Sequence, residues 1–254
     1  MSSAVEFAGE YGIQPHQQLA DLLLGVDVLD ICTPTDQHCE QALAAFNAGK
    51  HVVCEKPLAR TVDEATRMID AAGSAGCQLH VAHVLRWFEP YAEAHSAVSN
   101  NRLGVLRHVN LMRRGPHPPP SKPWFSDLSR SGGVMLDLLI HDLDYARWVA
   151  GDVDNMTATF SAGTATIIMR HLSGVVTHIR GDWLAEVFET SAELVGSSGS
   201  IVFSSRDRKP GPDPYVLQAR EIYDGLANGA PVRVTARDGL EALRLALHAI
   251  DLVQ

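Results

Sequence analysis

The sequence predicts an α/β protein in which a parallel sheet is followed by an α+β domain with a mainly antiparallel, open sheet. Before residue 87, short apolar runs alternate with helical segments, which is typical of a doubly wound parallel sheet. Between 154 and 204, strand-like segments are separated by turn sequences such as Ser161-Ala162-Gly163, which favour antiparallel hairpins. Glu55-Lys56-Pro57 closes one apolar run, and open α/β sheets bind ligands at the carboxyl ends of their strands.

Residues 1–86 are predicted to form the first domain. Its two longer helices end near Gly49 and Gly76, because glycine readily takes the left-handed conformation that terminates a helix. Its strands are apolar on both faces, as expected for a sheet with helices on either side. The predicted elements are helices at about 4–11, 17–24, 37–48 and 61–75 and strands at about 26–32, 50–54 and 77–82.

Residues 87–254 are predicted to form a second domain for substrate binding and oligomerisation. A Pro-rich loop separates its first strand from a helix that carries Asp137 and His141. We expect the last helix of the chain to pack back on the first domain. The other predicted elements are helices at about 89–99, 214–228 and 237–252, a strand at about 104–113 and hairpin strands between 154 and 204.

The composition is that of an ordinary globular protein. The net charge of −9 argues against nucleic acid or an anionic membrane as the main partner, since both require clustered Lys and Arg. No stretch approaches the roughly 20 apolar residues of a membrane-spanning helix. Cys32, Cys39, Cys54 and Cys77 are scattered, and no secretory leader is evident, which predicts reduced thiols and a cytoplasmic location.

Lys56 is the first candidate for chemistry. A lysine that follows a buried strand, beside Glu55, is suited to proton transfer if burial or a neighbour tunes its pKa. The alternative is an ordinary lysine in a surface loop. The proline after Lys56 fixes the backbone and favours the functional interpretation.

Asp137 and His141 are the second candidate. Their four-residue spacing places them on one face of a helix, where the carboxylate could orient or charge the imidazole. A histidine that merely satisfies the core is the alternative, because such spacing is common by chance. Asp142 points to a different helix face and no second histidine lies at ligand spacing, so no metal site is predicted.

Further residues could line a ligand crevice. Thr33-Pro34-Thr35 and His38 follow the strand before that of Lys56, so both turns open on one crevice, although helix capping explains the same residues. Arg86 follows the third strand and could hold an anionic or hydroxylated ligand. Trp124 could form a pocket wall.

Together these motifs resemble the glucose-fructose oxidoreductase and inositol dehydrogenase family, often called Gfo/Idh/MocA. The resemblance covers nearly the whole chain. It is carried by Asp27-Val28-Leu29-Asp30-Ile31-Cys32-Thr33-Pro34-Thr35, by Ala48-Gly49-Lys50-His51-Val52-Val53-Cys54-Glu55-Lys56-Pro57, by Val81-Ala82-His83-Val84-Leu85-Arg86-Trp87 and by Gly132-Gly133 with Asp137 and His141.

The resemblance implies a Rossmann-type domain that binds NAD or NADP and a hydride transfer to or from a sugar, cyclitol or related alcohol. Lys56 would match the catalytic lysine of the family, His141 its acid/base and Asp137 the carboxylate beside it. The nicotinamide side of the cofactor would be lined by Thr33, Pro34, His38, Glu55, Lys56 and Pro57.

In the sequence the Rossmann domain is incomplete, because the first strand and glycine-rich turn of the family would precede residue 1. Gly9 and Gly12 neither follow a strand nor open a helix as a dinucleotide fingerprint requires. Weak NAD(P) binding and an uncovered edge at 26–32 are therefore expected. An incomplete start, strands supplied by a partner chain, or a member that has lost redox chemistry would each explain the pattern.

Three functions follow. The first is an NAD(P)-dependent oxidoreductase acting on a small molecule, because the lysine, aspartate and histidine are all retained. A cofactor-independent lyase, isomerase or cyclase, and a non-catalytic subunit, are the alternatives. We also expect a homodimer or larger even-numbered oligomer through the second sheet, because one helix layer would not cover its apolar side chains, which include Ile167, Met169, Val176 and Ile179.

Overall fold

Three short apolar strands form the first sheet. In the computed structural model, which describes residues 2–207 and 211–254, they are β1 (Val28–Ile31), β2 (His51–Cys54) and β3 (Leu79–Val81). They lie parallel in the order β1-β2-β3, so that among the described residues β1 has a neighbouring strand on one side only. Each is shorter than predicted, because the residues on either side lie outside the paired register of the sheet.

Local sequence signals determine where the longest helix of this first part begins and ends. The longest begins at Thr61, whose hydroxyl accepts a hydrogen bond from the Glu64 amide while the Glu64 carboxylate accepts one from the Thr61 amide, and it ends at Gly76 in the left-handed conformation. These helices are α1 (Ser2–Tyr11), α2 (Leu19–Leu23), α3 (His38–Asn47) and α4 (Val62–Ala75).

The second sheet has six strands in the order β5-β6-β7-β4-β8-β9. All neighbours are antiparallel except β4 and β7, which run parallel. The prediction of a mainly antiparallel open sheet is confirmed. The strands are β4 (Leu106–Arg114), β5 (Val153–Ser161), β6 (Thr164–His171), β7 (Val176–Asp182), β8 (Glu189–Gly196) and β9 (Gly199–Ser204).

One face of the second sheet is covered by helices of the same chain. On β6 and β7 the side chains of Ile167, Met169 and Ile179 are fully buried against that layer. The expectation that these residues lie on a face the chain cannot cover is therefore wrong, since alternation along a strand directs every second side chain to the covered face. The opposite face of the sheet is the bare one.

The helices of the second part flank this sheet. The last of them, α9, packs against helix α4 and against strand β3 of the first sheet. It approaches β3 so closely at Gly239 that an added Cβ would lie 2.8 Å from Val81 Cγ2. These helices are α5 (Glu89–Ser99), α6 (Leu128–Ser131), α7 (Ile140–Ala150), α8 (Pro214–Asn228) and α9 (Ala236–Asp251), and none of the helices within the described ranges is long and apolar enough to cross a membrane.

Arg86 joins the end of the first sheet to helices α7 and α9. It lies just after β3 and only 2% of its surface is exposed. Its Nε and Nη2 atoms donate to the two carboxylate oxygens of Asp144 on α7 at 2.9 and 2.6 Å, and Nη1 donates to the Arg233 carbonyl. Asp238 on α9 lies 3.4 Å from Nη2. Burial alone would lower the pKa of Arg86, but the two carboxylates outweigh burial and raise it.

Arg86→Met should lower the free energy of unfolding by about 3–5 kcal/mol, because it leaves the buried Asp144 carboxylate without its partner. Denaturant titration measures the loss. The control is Arg170→Met, which removes an exposed ion pair with Asp154 and should change stability by less than about 1 kcal/mol. Equal losses in both variants would contradict the structural role of Arg86.

Candidate active site

The site is centred on Lys56, at the carboxyl end of β2. A cis peptide bond joins Lys56 to Pro57. The Lys56 ammonium donates to the backbone oxygen of Asp137 at 2.8 Å and to its Oδ1 at 3.1 Å. An ammonium has three donors, so one N–H is left without a partner among the described residues and is available to a ligand oxygen.

Asp137 lies in a π-helical turn rather than in the α-helix that the sequence predicts. The turn covers Val134–Leu138, and its Leu139 amide donates to the Val134 carbonyl. Gly132 and Gly133 precede it with φ values of 72° and 69°, which favour glycine. A Cβ at Gly132 would also clash with the side chain of Leu136. The wide turn places the backbone oxygen and Oδ1 of Asp137 within hydrogen-bonding distance of Lys56. Such turns are frequent at functional sites.

His141 follows in the first turn of α7. The Asp137 carboxylate bonds to Lys56 and not to the imidazole, contrary to the expected pairing, because the π-turn changes the direction of its side chain. The Nδ1 atom of His141 is buried without a hydrogen-bond partner. Burial, then the positive charges of Lys56 and Arg113 and the nearby His83, lower its pKa well below 6.5. At neutral pH the imidazole is therefore uncharged.

A cavity of about 390 Å³ adjoins His141. Its wall is aromatic on several sides and carries hydroxyl groups from β8 and β9, a combination suited to a ring with an apolar face and polar edges. Arg113 also lines it, with its charge held by Asp142 at 2.6 Å. The lining residues include Phe88, Tyr91, Arg113, Phe188, Thr190, Ser204 and Tyr215.

Sequence reasoning missed this wall. Its members come from distant segments, and no local motif marks a strand residue such as Arg113 as a neighbour of Tyr91 in α5. The one available signal was the alternation along β4, which directs Arg113 inward among apolar neighbours. A buried arginine requires an acidic partner, and Asp142 is the residue that meets it.

His38 ties together the two turns of the crevice. Its imidazole is 1% exposed, with Nδ1 2.9 Å from the Pro57 carbonyl oxygen and Nε2 2.9 Å from the Thr33 carbonyl oxygen. Both ring nitrogens therefore face carbonyl oxygens inside the protein, and a neutral ring donates to one of them. Contact between His38 and the cofactor stays a prediction. Burial lowers its pKa, more strongly than its bonds to the carbonyl groups raise it.

Glu55, Thr33 and Pro34 are half-buried at the mouth of the same crevice, whereas Pro57 is buried. Oε2 of Glu55 accepts a hydrogen bond from the Lys56 amide at 3.1 Å. Burial raises the pKa of Glu55, against the opposing effect of Lys56. Its other carboxylate oxygen accepts no hydrogen bond from the described residues, so it can accept one from an amide or hydroxyl group of a ligand.

The two predicted substrate-binding residues lie elsewhere. The guanidinium of Arg86 is committed to Asp144, Asp238 and the Arg233 carbonyl, and does not line the cavity beside His141. Trp124 is half-buried and stacks on Phe125, with ring centroids 3.8 Å apart. Substrate contacts by these two residues stay predictions. Within the described ranges, no group of three His, Cys, Asp or Glu side chains could hold a metal ion.

Comparison with known proteins identifies the class. Residues 1–83 match the oxidoreductase family with an NAD-binding Rossmann fold, and residues 91–202 match the GFO/IDH/MocA C-terminal domain. An uncharacterized oxidoreductase of Bacillus subtilis is 30% identical over 262 residues, which cover 88% of this chain and 75% of that protein. The chain belongs to the GFO/IDH/MocA oxidoreductase family, as its motifs predict.

Named relatives are dehydrogenases and reductases of sugars and cyclitols. The chain is 32% identical to the 1,5-anhydro-D-fructose reductase of Ensifer adhaerens over 220 residues, which cover 80% of this chain and 66% of that protein. It is 28% identical to the myo-inositol 2-dehydrogenase of Thermotoga maritima over 270 residues, which cover 92% and 79%. A probable dehydrogenase from Thermotoga maritima superposes with a TM-score of 0.89 at 25% identity, covering 99% of this chain and 87% of that one.

A fully buried, uncharged imidazole makes stability depend on pH. The pKa values of His38, His83 and His141 are lowered from 6.5, so as the pH falls below about 6.5 the unfolded chain takes up these protons first. The free energy of unfolding should therefore fall from about pH 7.5 to about pH 5.5, by up to ~1.4 kcal/mol per pH unit for each group. Denaturant titrations across this range measure the slope. A smaller slope in His38→Phe is expected, and a flat profile in the parent protein would contradict the burial argument.

Proposed function

We propose that the protein is an NAD(P)-dependent oxidoreductase that transfers a hydride between the nicotinamide and a sugar, cyclitol or related hydroxy compound. The observation that carries this proposal is the hydrogen-bonded pair of Lys56 and Asp137 at the carboxyl end of a parallel strand. His141, whose pKa the nearby Lys56 charge helps to lower, lines a cavity of about 390 Å³. The named relatives, which act on such compounds, support the substrate class.

His141 is the acid/base in this proposal. Because its imidazole is uncharged at neutral pH, it can take the proton from a substrate hydroxyl as the alcohol is oxidised. The same low pKa makes the imidazolium a ready proton donor in the reverse direction. His141 lines the cavity, so a hydroxyl bound there lies beside the ring.

Lys56 stabilises the reacting oxygen. Two of its donors are fixed by Asp137, which orients the ammonium and leaves the third N–H for the substrate oxygen. A positive charge held in place beside an oxygen that gains negative charge lowers the barrier without costly rearrangement. Asp137 acts by holding Lys56.

The residues at the crevice fit the nicotinamide end of the cofactor. The free carboxylate oxygen of Glu55 can accept a hydrogen bond from an amide or hydroxyl group, and Thr33, Pro34 and Lys56 border the same opening. NAD(P), when bound, supplies the hydride acceptor for oxidation and the hydride donor for reduction. Weak binding of NAD(P) by the chain on its own stays a prediction, which calorimetry with NADH and NADPH tests.

Lys56→Ala and His141→Ala should each lower kcat/KM by about 100- to 10,000-fold, because each removes a group that moves a proton or stabilises charge. Asp137→Asn should lose less, since the backbone oxygen and the side-chain carbonyl still accept from Lys56. The assay follows NADH absorbance with inositols and anhydrosugars as substrates. Lys50→Ala, at the opposite end of β2, is the control. Full activity of both alanine variants would refute the assignment.

We also propose a cytoplasmic homodimer. The four free cysteines support a reducing compartment.

The dimer contact would lie on the exposed face of the second sheet. One row of paired residues crosses all six strands there, and it includes Ile168, 39% exposed, and Val202, 68% exposed. A second copy presents the same face, so a two-fold axis through the sheet would bury both apolar side chains.

Ile168→Glu should shift the protein from dimer to monomer, because it replaces an apolar side chain of the proposed contact with a charge that the second copy would bury. Sedimentation velocity at micromolar concentration measures the change. The matched control is Leu172→Glu, which alters a 73% exposed leucine in the hairpin after β6 and should leave the dimer intact. A parent protein that is monomeric at this concentration would rule out the contact.

A further inference from the structure

Two buried histidine rings near the proposed catalytic groups have ring nitrogens without a hydrogen-bond partner. Of the seven buried side-chain polar atoms without a partner in the described residues, both ring nitrogens of His83 and Nδ1 of His141 account for three. Buried polar atoms are nearly always hydrogen-bonded, to protein or to an internal water. Three orphaned imidazole nitrogens in one region therefore need a common explanation.

His83 lies next to the proposed catalytic groups. It lies two residues after β3, and the Ala82 amide between them donates to the Cys54 carbonyl at 2.9 Å, which places the end of β3 beside the Glu55-Lys56 turn. The side chain of His83 is fully buried. The residues after it, Val84 and Leu85, line the same cavity as His141.

The charged groups around the His83 and His141 rings already form ion pairs with one another. His83 is near the carboxylates of Asp144 and Asp238 and the cations of Arg86 and Lys56. The carboxylates hold Arg86, and the Lys56 ammonium faces Asp137. His141 is near Lys56, near Arg113, which Asp142 holds, and near His83 itself. Of the groups around His141, His83 alone combines burial with two unused ring nitrogens.

We propose that His83 is a positioning residue for His141 and holds its Nδ1 through one buried water molecule. The Nδ1–H of His141 donates to the water oxygen, and the water donates to a ring nitrogen of His83. Internal waters of this kind fill polar gaps and join otherwise unpaired groups. The bridge fixes the Nδ1–H tautomer and leaves the lone pair of Nε2 for the substrate. This effect on turnover rests on the proposed function, whereas the hydrogen bonds do not.

The first test needs neither cofactor nor substrate. Two-bond ¹H–¹⁵N correlation spectra of the ¹⁵N-labelled protein distinguish the two tautomers of each histidine, and the His141 signals are assigned by their loss in His141→Gln. We expect a single Nδ1–H tautomer in the parent protein, a mixture in His83→Phe and recovery of the Nδ1–H form in His83→Gln, whose side chain can still bond to the water.

The matched control is His80→Phe. His80 lies on β3, three residues before His83, is also buried and has one unpaired nitrogen, but its Nε2 contacts the Gln78 side chain at 3.1 Å. This variant should leave the tautomer of His141 unchanged. If His83→Phe does not fold, as judged by circular dichroism, the smaller His83→Leu replaces it. An unchanged tautomer ratio in the folded His83 variant, or an Nε2–H tautomer in the parent protein, would overturn the proposal.

The second test separates positioning from folding. With a polyol that the parent protein oxidises, His83→Phe should lower kcat by roughly 100-fold with little change in KM, since misplacing a catalytic group costs about this much. An unchanged kcat would overturn the role of His83 in turnover. If the parent protein oxidises no polyol, the proposed function fails while the tautomer measurement still decides whether His83 holds His141.

Discussion

The two hydrogen bonds from Lys56 to Asp137 are the contact on which the site depends. The residues are 81 positions apart, one at the end of a strand of the first sheet and the other in the π-helical turn that leads into the second. By using both the backbone and side-chain oxygens of Asp137, the ammonium fixes the turn against the strand. His141 follows within four residues, so its position relative to Lys56 is set by the same contact, and the aromatic cavity opens beside it.

Burial then decides which groups carry charge. The buried arginines are each held by a carboxylate, Arg86 by Asp144 and Arg113 by Asp142, so their charges are balanced inside the protein. His141 has no such partner, and burial together with neighbouring positive charge keeps it neutral. One region thus contains a fixed cation at Lys56 and an uncharged imidazole beside it. That difference supports the proposed roles, charge stabilisation for the lysine and proton transfer for the histidine.

Backbone geometry supplies the remaining constraints. Gly132 and Gly133 allow the chain to enter the π-turn with positive φ, which a residue with a Cβ would resist. His38 holds the Thr33 and Pro57 carbonyls at equal distance, and so fixes the two turns that border the crevice. These residues contribute to the site without facing it. A motif can therefore mark a residue such as His38 without showing that its side chain is committed to contacts inside the protein.

The sequence by itself determined the elements whose ends have local causes, and the family. Helices α5 and α8 begin and end where predicted, because Pro90, Pro214 and Gly229 act on their own neighbours. Lys56, Asp137 and His141 were also recognisable as a group. Only the tertiary structure decided that Asp137 bonds to Lys56 rather than to His141, that β4 and β7 pair in parallel, and that Arg86 joins the end of the first sheet to helices α7 and α9. The physical reason is that these outcomes depend on contacts between segments far apart in the chain and on burial, neither of which leaves a mark in local spacing.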